Sequence, residues 1–147
     1  MAYALITGAS KGIGKAIAFE LASHNYHVLV TARSASQLQI VTEEIREKYK
    51  VNAYFFPLDL CELEAPQKLF DWCIENNYPV SVLVNNAGFG LSGRFENIPQ
   101  MDTSGLLQLN IIAPTLLCHL FIPLLKKQTQ SYILNISSSA AYQAVPL

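Results

Sequence analysis

Four short stretches hold residue types whose spacing could do chemistry. The first is "TGASKGIG" (Thr7–Gly14), which follows an apolar run and opens a helical pattern. Glycine is needed where backbone approaches a phosphate or takes positive φ. A helix N-terminus offers its free N–H groups to an anion. The stretch therefore reads as a phosphate-cradling turn. Its spacing is G-x-x-x-G-x-G rather than G-x-G-x-x-G. A Walker-type loop is excluded, because Ala16 follows Gly14-Lys15 and Ala9 stands where that motif needs its first glycine. The second stretch is "TARS" (Thr31–Ser34), at the end of the second apolar run. Dinucleotide-binding folds keep an acid there for the ribose of NAD. This chain has Arg33 and Ser34 instead. A guanidinium grips a 2′-phosphate through paired hydrogen bonds, and Lys11 adds a second positive charge, so NADP(H) is expected over NAD(H). The third stretch is "NNAG" (Asn85–Gly88). The fourth is "NISSSAAY" (Asn135–Tyr142), whose serine and tyrosine hydroxyls could hold a carbonyl oxygen or deliver a proton to it.

Apolar runs and helical patterns alternate between these stretches, and that alternation must position them. "YALIT", "HVLVTA", "NAYFFPLDL", "VSVLVNNAG" and "SYILNIS" read as five strands. Between them, Ile13–Asn25, Ser34–Lys50 and Cys61–Asn77 read as helices. Ser34 with Gln37, or Ser36 with Gln39, fits a capping box, and Asp59 and Glu62 look like caps of the third helix. Phe89–Pro99 reads as a loop. A long helical stretch from about Met101 to Lys127 should be bent or split by Pro114 and Pro123. Near-continuous apolar strands alternating with helices predict one doubly wound α/β domain over residues 1–147, its parallel sheet covered on both faces.

Composition narrows the partners. The chain is 51% hydrophobic and 14% charged, as a folded globular chain is, with net charge −1 and no basic block. Nucleic acid and anionic membrane are not expected as main partners. Cys61, Cys73 and Cys118 are odd in number and far apart, so they are expected as core thiols in a reducing, cytoplasmic setting, with no metal site. "MAYALITGAS" lacks the pattern of a signal peptide. The longest apolar run, Ile111–Leu125, holds a histidine and two prolines and reads as short for a membrane span, hence as a buried or interface helix.

Taken together, these motifs resemble the classical short-chain dehydrogenase/reductase family. "TGASKGIG" matches its TGxxxGIG turn, "NNAG" follows the fourth strand, Asn110 sits in the long helix, and "NISS" ends the fifth strand. The resemblance implies a Rossmann-type sheet in the order 3-2-1-4-5. It implies that Gly8, Ser10, Gly12, Ile13 and Gly14 wrap the pyrophosphate and nearby ribose. It places Ser10, Lys11, Arg33 and Ser34 at the adenosine side, Asp59 and Leu60 beside the adenine, and Asn86, Ala87 and Gly88 along the cofactor. Asn85 is read as a brace of the sheet. Asn110 would hold a relay water with its backbone, at a distortion of the long helix. Ser138 would hold the substrate carbonyl oxygen, with Ser137 and Ser139 as neighbouring registers.

The implied reaction is hydride transfer between nicotinamide and a carbonyl or alcohol carbon of a small molecule. In the family a tyrosine of a YxxxK motif supplies the proton and the lysine lowers its pKa and holds the nicotinamide ribose, since a free tyrosine near pKa 10 is poorly matched to neutral pH. Tyr142 does not fit that role. Pro146 stands four residues after it, no lysine follows Lys127, and it follows Ser138 too closely, since the family spacing is roughly a dozen residues. Tyr142 is expected in a loop or pocket wall. The 147 residues are thus expected to be the N-terminal portion of a longer, homo-oligomeric enzyme, inactive alone, with the fifth strand as an unprotected edge. The rival reading is a non-catalytic nucleotide-binding sensor or scaffold with the same fold.

Overall fold

The computed structural model describes residues 2–143. Its strands are β1 (Tyr3–Thr7), β2 (His27–Ala32), β3 (Ala53–Pro57), β4 (Val80–Asn85) and β5 (Tyr132–Asn135). Its helices are α1 (Gly12–Ser23), α2 (Ala35–Tyr49), α3 (Ala65–Glu75), α4 (Gln100–Leu107) and α5 (Ala113–Leu125), with a π-helical turn over Gln108–Ile112 joining the last two. All described pairings are parallel, and the sheet order is β3-β2-β1-β4-β5. This is the expected doubly wound, Rossmann-type arrangement.

Side-chain alternation along the strands divides the core into two layers. Ala4 and Ile6 of β1, with Val28 and Val30 of β2, pack on Ala18 and Ala22 of α1 and on Leu38, Val41 and Ile45 of α2. Leu5 and Leu29 point the other way, onto Leu69 and Cys73 of α3 and onto Leu117 and Phe121 of α5. A short apolar strand therefore has something to bury on each face, which is why these strands read as runs rather than alternations. Burial pushes the Cys73 thiol up to about 12, so it is an inert core residue.

Three expectations change in detail. Ser34 caps α2 by accepting from the Gln37 N–H at 3.4 Å, which selects the first of the two capping registers. The third helix begins at Ala65 rather than Cys61. Asp59 Oδ1 accepts from the Cys61 N–H at 3.0 Å and so fixes the turn ahead of the helix, while Pro66 in the first turn fits the helix start. The long helix is broken by the π turn just before Pro114, whereas Pro123 lies inside an otherwise continuous α5.

The helical run Gln100–Leu125 is 26 residues and holds an 18-residue window of mean hydropathy 1.7, long and apolar enough by composition to cross a membrane. Its stripe Ala113, Leu117, Phe121 and Leu125 is buried, and α5 packs on β4 and α3. That is the placement of a sheet-covering helix. The other side of the run exposes Leu107, Ile111, Ile112, Leu116 and Ile122.

Candidate active site

Two hollows lie at the C-terminal ends of the strands, where parallel α/β sheets bind ligands. The first, of about 800 Å³, is lined by the glycine turn, the end of β2 and the segment after β4. Gly8, Ser10, Lys11, Gly12, Ile13, Arg33, Ser34, Asp59, Leu60, Asn86, Ala87 and Gly88 all line it. Of the residues expected at the nucleotide, Gly14 alone does not. It is buried, and a Cβ there would press on Asn86 Nδ2 and lie 2.5 Å from the Gly8 carbonyl oxygen. Its place is to let α1 sit close under the turn.

The turn is held from below by its own neighbours. Gly8 has φ +66°, and a Cβ there would lie 2.8 Å from Ala87 Cα. Gly12 has φ +58° with open space above it, so backbone faces the hollow directly. The Gly8 N–H donates to the Thr31 carbonyl at 2.8 Å. Thr7 Oγ1 donates to the Val84 carbonyl at 3.3 Å and accepts from the N–H groups of Asn86 and Ala87, both at 3.0 Å. Asn86 Nδ2 returns bonds to the Thr7 and Gly8 carbonyls at 2.9 and 3.1 Å. Thr7 and Asn86 thus lock the glycine turn to the segment after β4. Sequence reasoning quoted Thr7 within the turn and assigned it nothing.

At the far end of this hollow, Arg33 and Lys11 are exposed cations. Gln37 and Cys61 also line it, neither of them anticipated. Burial raises the Cys61 thiol, with the Asp59 charge and hydrogen bond adding to that and Arg33 opposing it. The Arg33 charge is therefore felt at the Asp59–Cys61 end.

The second hollow gathers Asn110, Ser137, Ser138, Thr115, Cys118 and Asn135. It shares Asn86, Ala87, Gly88 and Phe89 with the first, so the two meet across one wall. Asn110 lies within the π turn, the expected distortion of the long helix. Its side chain is fully engaged by one backbone unit: Oδ1 accepts from the Phe89 N–H at 3.2 Å, and Nδ2 donates to the Phe89 carbonyl at 2.8 Å. Ser138 caps a short 3₁₀ turn (Ser139–Ala141), and its Oγ accepts from the Ala140 N–H at 3.1 Å. That leaves the hydroxyl proton free for another acceptor. Asn85 ties β4 to β5 by donating to Asn135 Oδ1 at 2.8 Å, and to α5 by donating to Cys118 Sγ at 3.3 Å. Ser139 and Tyr142 line neither hollow, and Tyr142 is 90% exposed. Pro146 lies outside the described residues.

Comparison with known proteins gives a consistent result. The family model for short chain dehydrogenase matches residues 2–147. The human very-long-chain 3-oxoacyl-CoA reductase is 31% identical over 99% of this chain and 47% of its own length. The chain thus spans about half the length of the curated relatives it matches. Among solved structures, a metagenomic short-chain oxidoreductase in complex with NADP superposes with TM-score 0.91 at 34% identity, covering 98% of this chain and 65% of that one. The alcohol dehydrogenase of the archaeon Thermococcus sibiricus, complexed with 5-hydroxy-NADP, gives 0.92 at 29% identity, covering 99% and 62%.

Proposed function

This chain belongs to the short-chain dehydrogenase family, and from that premise we propose that it builds the nucleotide-binding portion of an NADP(H)-preferring oxidoreductase acting on a carbonyl or alcohol carbon. The single observation that carries this reading is the shared wall: the segment Asn86–Phe89 borders both the glycine-turn hollow and the hollow holding Ser138 and Asn110. A nucleotide seated in the first would present its reactive end to the second.

The residues present fit a dinucleotide. Gly12 leaves backbone open to a pyrophosphate, and the turn caps the N-terminus of α1, whose dipole favours an anion. Lys11, Arg33 and Ser34 would meet the 2′-phosphate, and Asp59 and Leu60 would flank the adenine. The bound nucleotide supplies or takes the hydride. The chain's own residues do the rest. Ser138, its oxygen anchored by the Ala140 N–H, would turn its proton toward the substrate oxygen and stabilise charge developing there. Asn110, its side chain committed to Phe89, would offer its backbone carbonyl to a water that passes protons. The same reading makes the full-length protein a cytoplasmic homo-oligomer with a small-molecule substrate.

The test uses the full-length protein. NADPH consumption is followed with a panel of ketones, sugars and 3-oxoacyl thioesters, and NADPH and NADH affinities are compared before and after Arg33→Ala. We expect turnover of at least one carbonyl class. Loss of the charge-assisted bonds should cut the NADPH/NADH affinity ratio about tenfold or more. Absence of turnover with every carbonyl overturns the enzymatic reading. An unchanged ratio overturns the NADP assignment.

A further inference from the structure

We infer that Pro114 is a positioning residue, which keeps the backbone carbonyl of Asn110 without a helical donor. The inference rests on the reading that this carbonyl holds the relay water. In an unbroken α-helix each N–H closes on the carbonyl four residues back. The π turn displaces one such bond, because the Ala113 N–H reaches back five residues to the Gln108 carbonyl and so passes over Leu109. The next donor in line would be residue 114, and its α-helical acceptor would be the carbonyl of Asn110. Proline has no N–H to give.

The neighbouring groups are committed elsewhere. The Thr115 hydroxyl, one residue on, donates to the Ile111 carbonyl at 2.6 Å rather than to Asn110. Both polar atoms of the Asn110 side chain are held by Phe89. Asn110 is therefore fixed in place through its side chain, and Pro114 withholds from its carbonyl the N–H that an α-helix would supply there, which is the sense in which that group is open. Pro114 also lines the second hollow beside Asn110 and Thr115, so the open group and the residue that keeps it open share one wall. The proline incurs no further loss here, since it falls in the first turn of α5, where a missing N–H is tolerated.

A proline ring could instead matter only for packing, and the test separates the two. In the full-length protein, residue 114 is replaced by alanine, which restores an N–H, and by lactic acid, the ester counterpart of alanine, which has the same methyl group and no N–H. Pro114→Ala should lower kcat about tenfold or more and shift the pH profile of kcat, with KM and nucleotide affinity unchanged. The lactic acid variant should restore kcat and the profile. Equal losses in both variants, or no loss in the alanine variant, overturn the inference. Amide hydrogen exchange gives a readout independent of turnover. The new N–H of Pro114→Ala should exchange about 100-fold or more slower than in an unfolded chain if a helical carbonyl captures it. Free exchange at that position overturns the inference, whereas absence of turnover by the unmodified protein overturns only the functional reading on which it rests.

Discussion

β4 and β5 are hydrogen-bonded neighbours over four register positions, yet all six residues of β4 are buried and all four of β5 are exposed. The two hollows inherit that difference. The nucleotide hollow hangs from β1, β2 and β4, whose backbone and Thr7, Asn86 and Thr31 groups satisfy one another. The hollow with Ser138 hangs from β5, and its serine is placed by local bonds: the Ile136 N–H to the Asn85 carbonyl at 2.9 Å, the Asn85–Asn135 side-chain pair and the Ala140 cap. Backbone and glycine shape the first region, so its function should depend on steric fit. Single hydroxyl and carbonyl groups shape the second, so its function should depend on individual atoms.

The sharpest break in this comparison is Ser138→Ala in the full-length protein. Removing one preformed donor to a developing oxyanion costs about 10²–10³ in kcat. Because Ser138 does not line the nucleotide hollow, NADPH affinity measured by fluorescence titration should stay unchanged. A parallel loss of affinity would show that the two regions are not separable. Next in size is a pair of glycine substitutions in the first region. Gly14→Ala drives a methyl group against Asn86 Nδ2 and the Gly8 carbonyl, which should cost about 2–3 kcal/mol as overpacking. Gly12→Ala meets open space and only the positive-φ strain, about 1 kcal/mol. Thermal unfolding of the two variants should rank them in that order. Gly12→Ala should instead be the more harmful to nucleotide affinity, since Gly12 faces the hollow and Gly14 does not.

Much of this division was legible in the sequence, for definite reasons. Apolar runs of strand length separated by amphipathic helices dictate a sheet covered on both faces, and the alternation of Ala4, Leu5 and Ile6 between two cores bears that out. The glycine turn was legible because few residue types tolerate its backbone. The start of α3 was misplaced because Asp59 and Glu62 have the chemistry of caps, while Asp59 serves a preceding turn. Thr7 was passed over because its three bonds depend on how β1 lies against β4, which no local pattern encodes. The prolines of the long helix were read as equal breakers. Only the chain around Pro114 leaves the α-helical pattern, and the π turn itself has no signature in residue types.

The smallest expected effect concerns Tyr142, a tyrosine close in sequence to a proposed catalytic serine and therefore an obvious suspect as the proton donor. A general acid must come within hydrogen-bond reach of the group it protonates. Tyr142 is 90% exposed, follows the 3₁₀ turn capped by Ser138, and lines neither hollow. None of the hydrogen bonds among the described residues engages its hydroxyl, so nothing there holds it toward a reacting oxygen. Tyr142→Phe removes that hydroxyl and leaves the ring. In the full-length protein, kcat, KM and the pH profile should all match those of the unmodified protein, measured with whichever carbonyl substrate gives the fastest NADPH consumption. A fall in kcat approaching that of Ser138→Ala would make Tyr142 the proton donor and overturn its reading as a bystander.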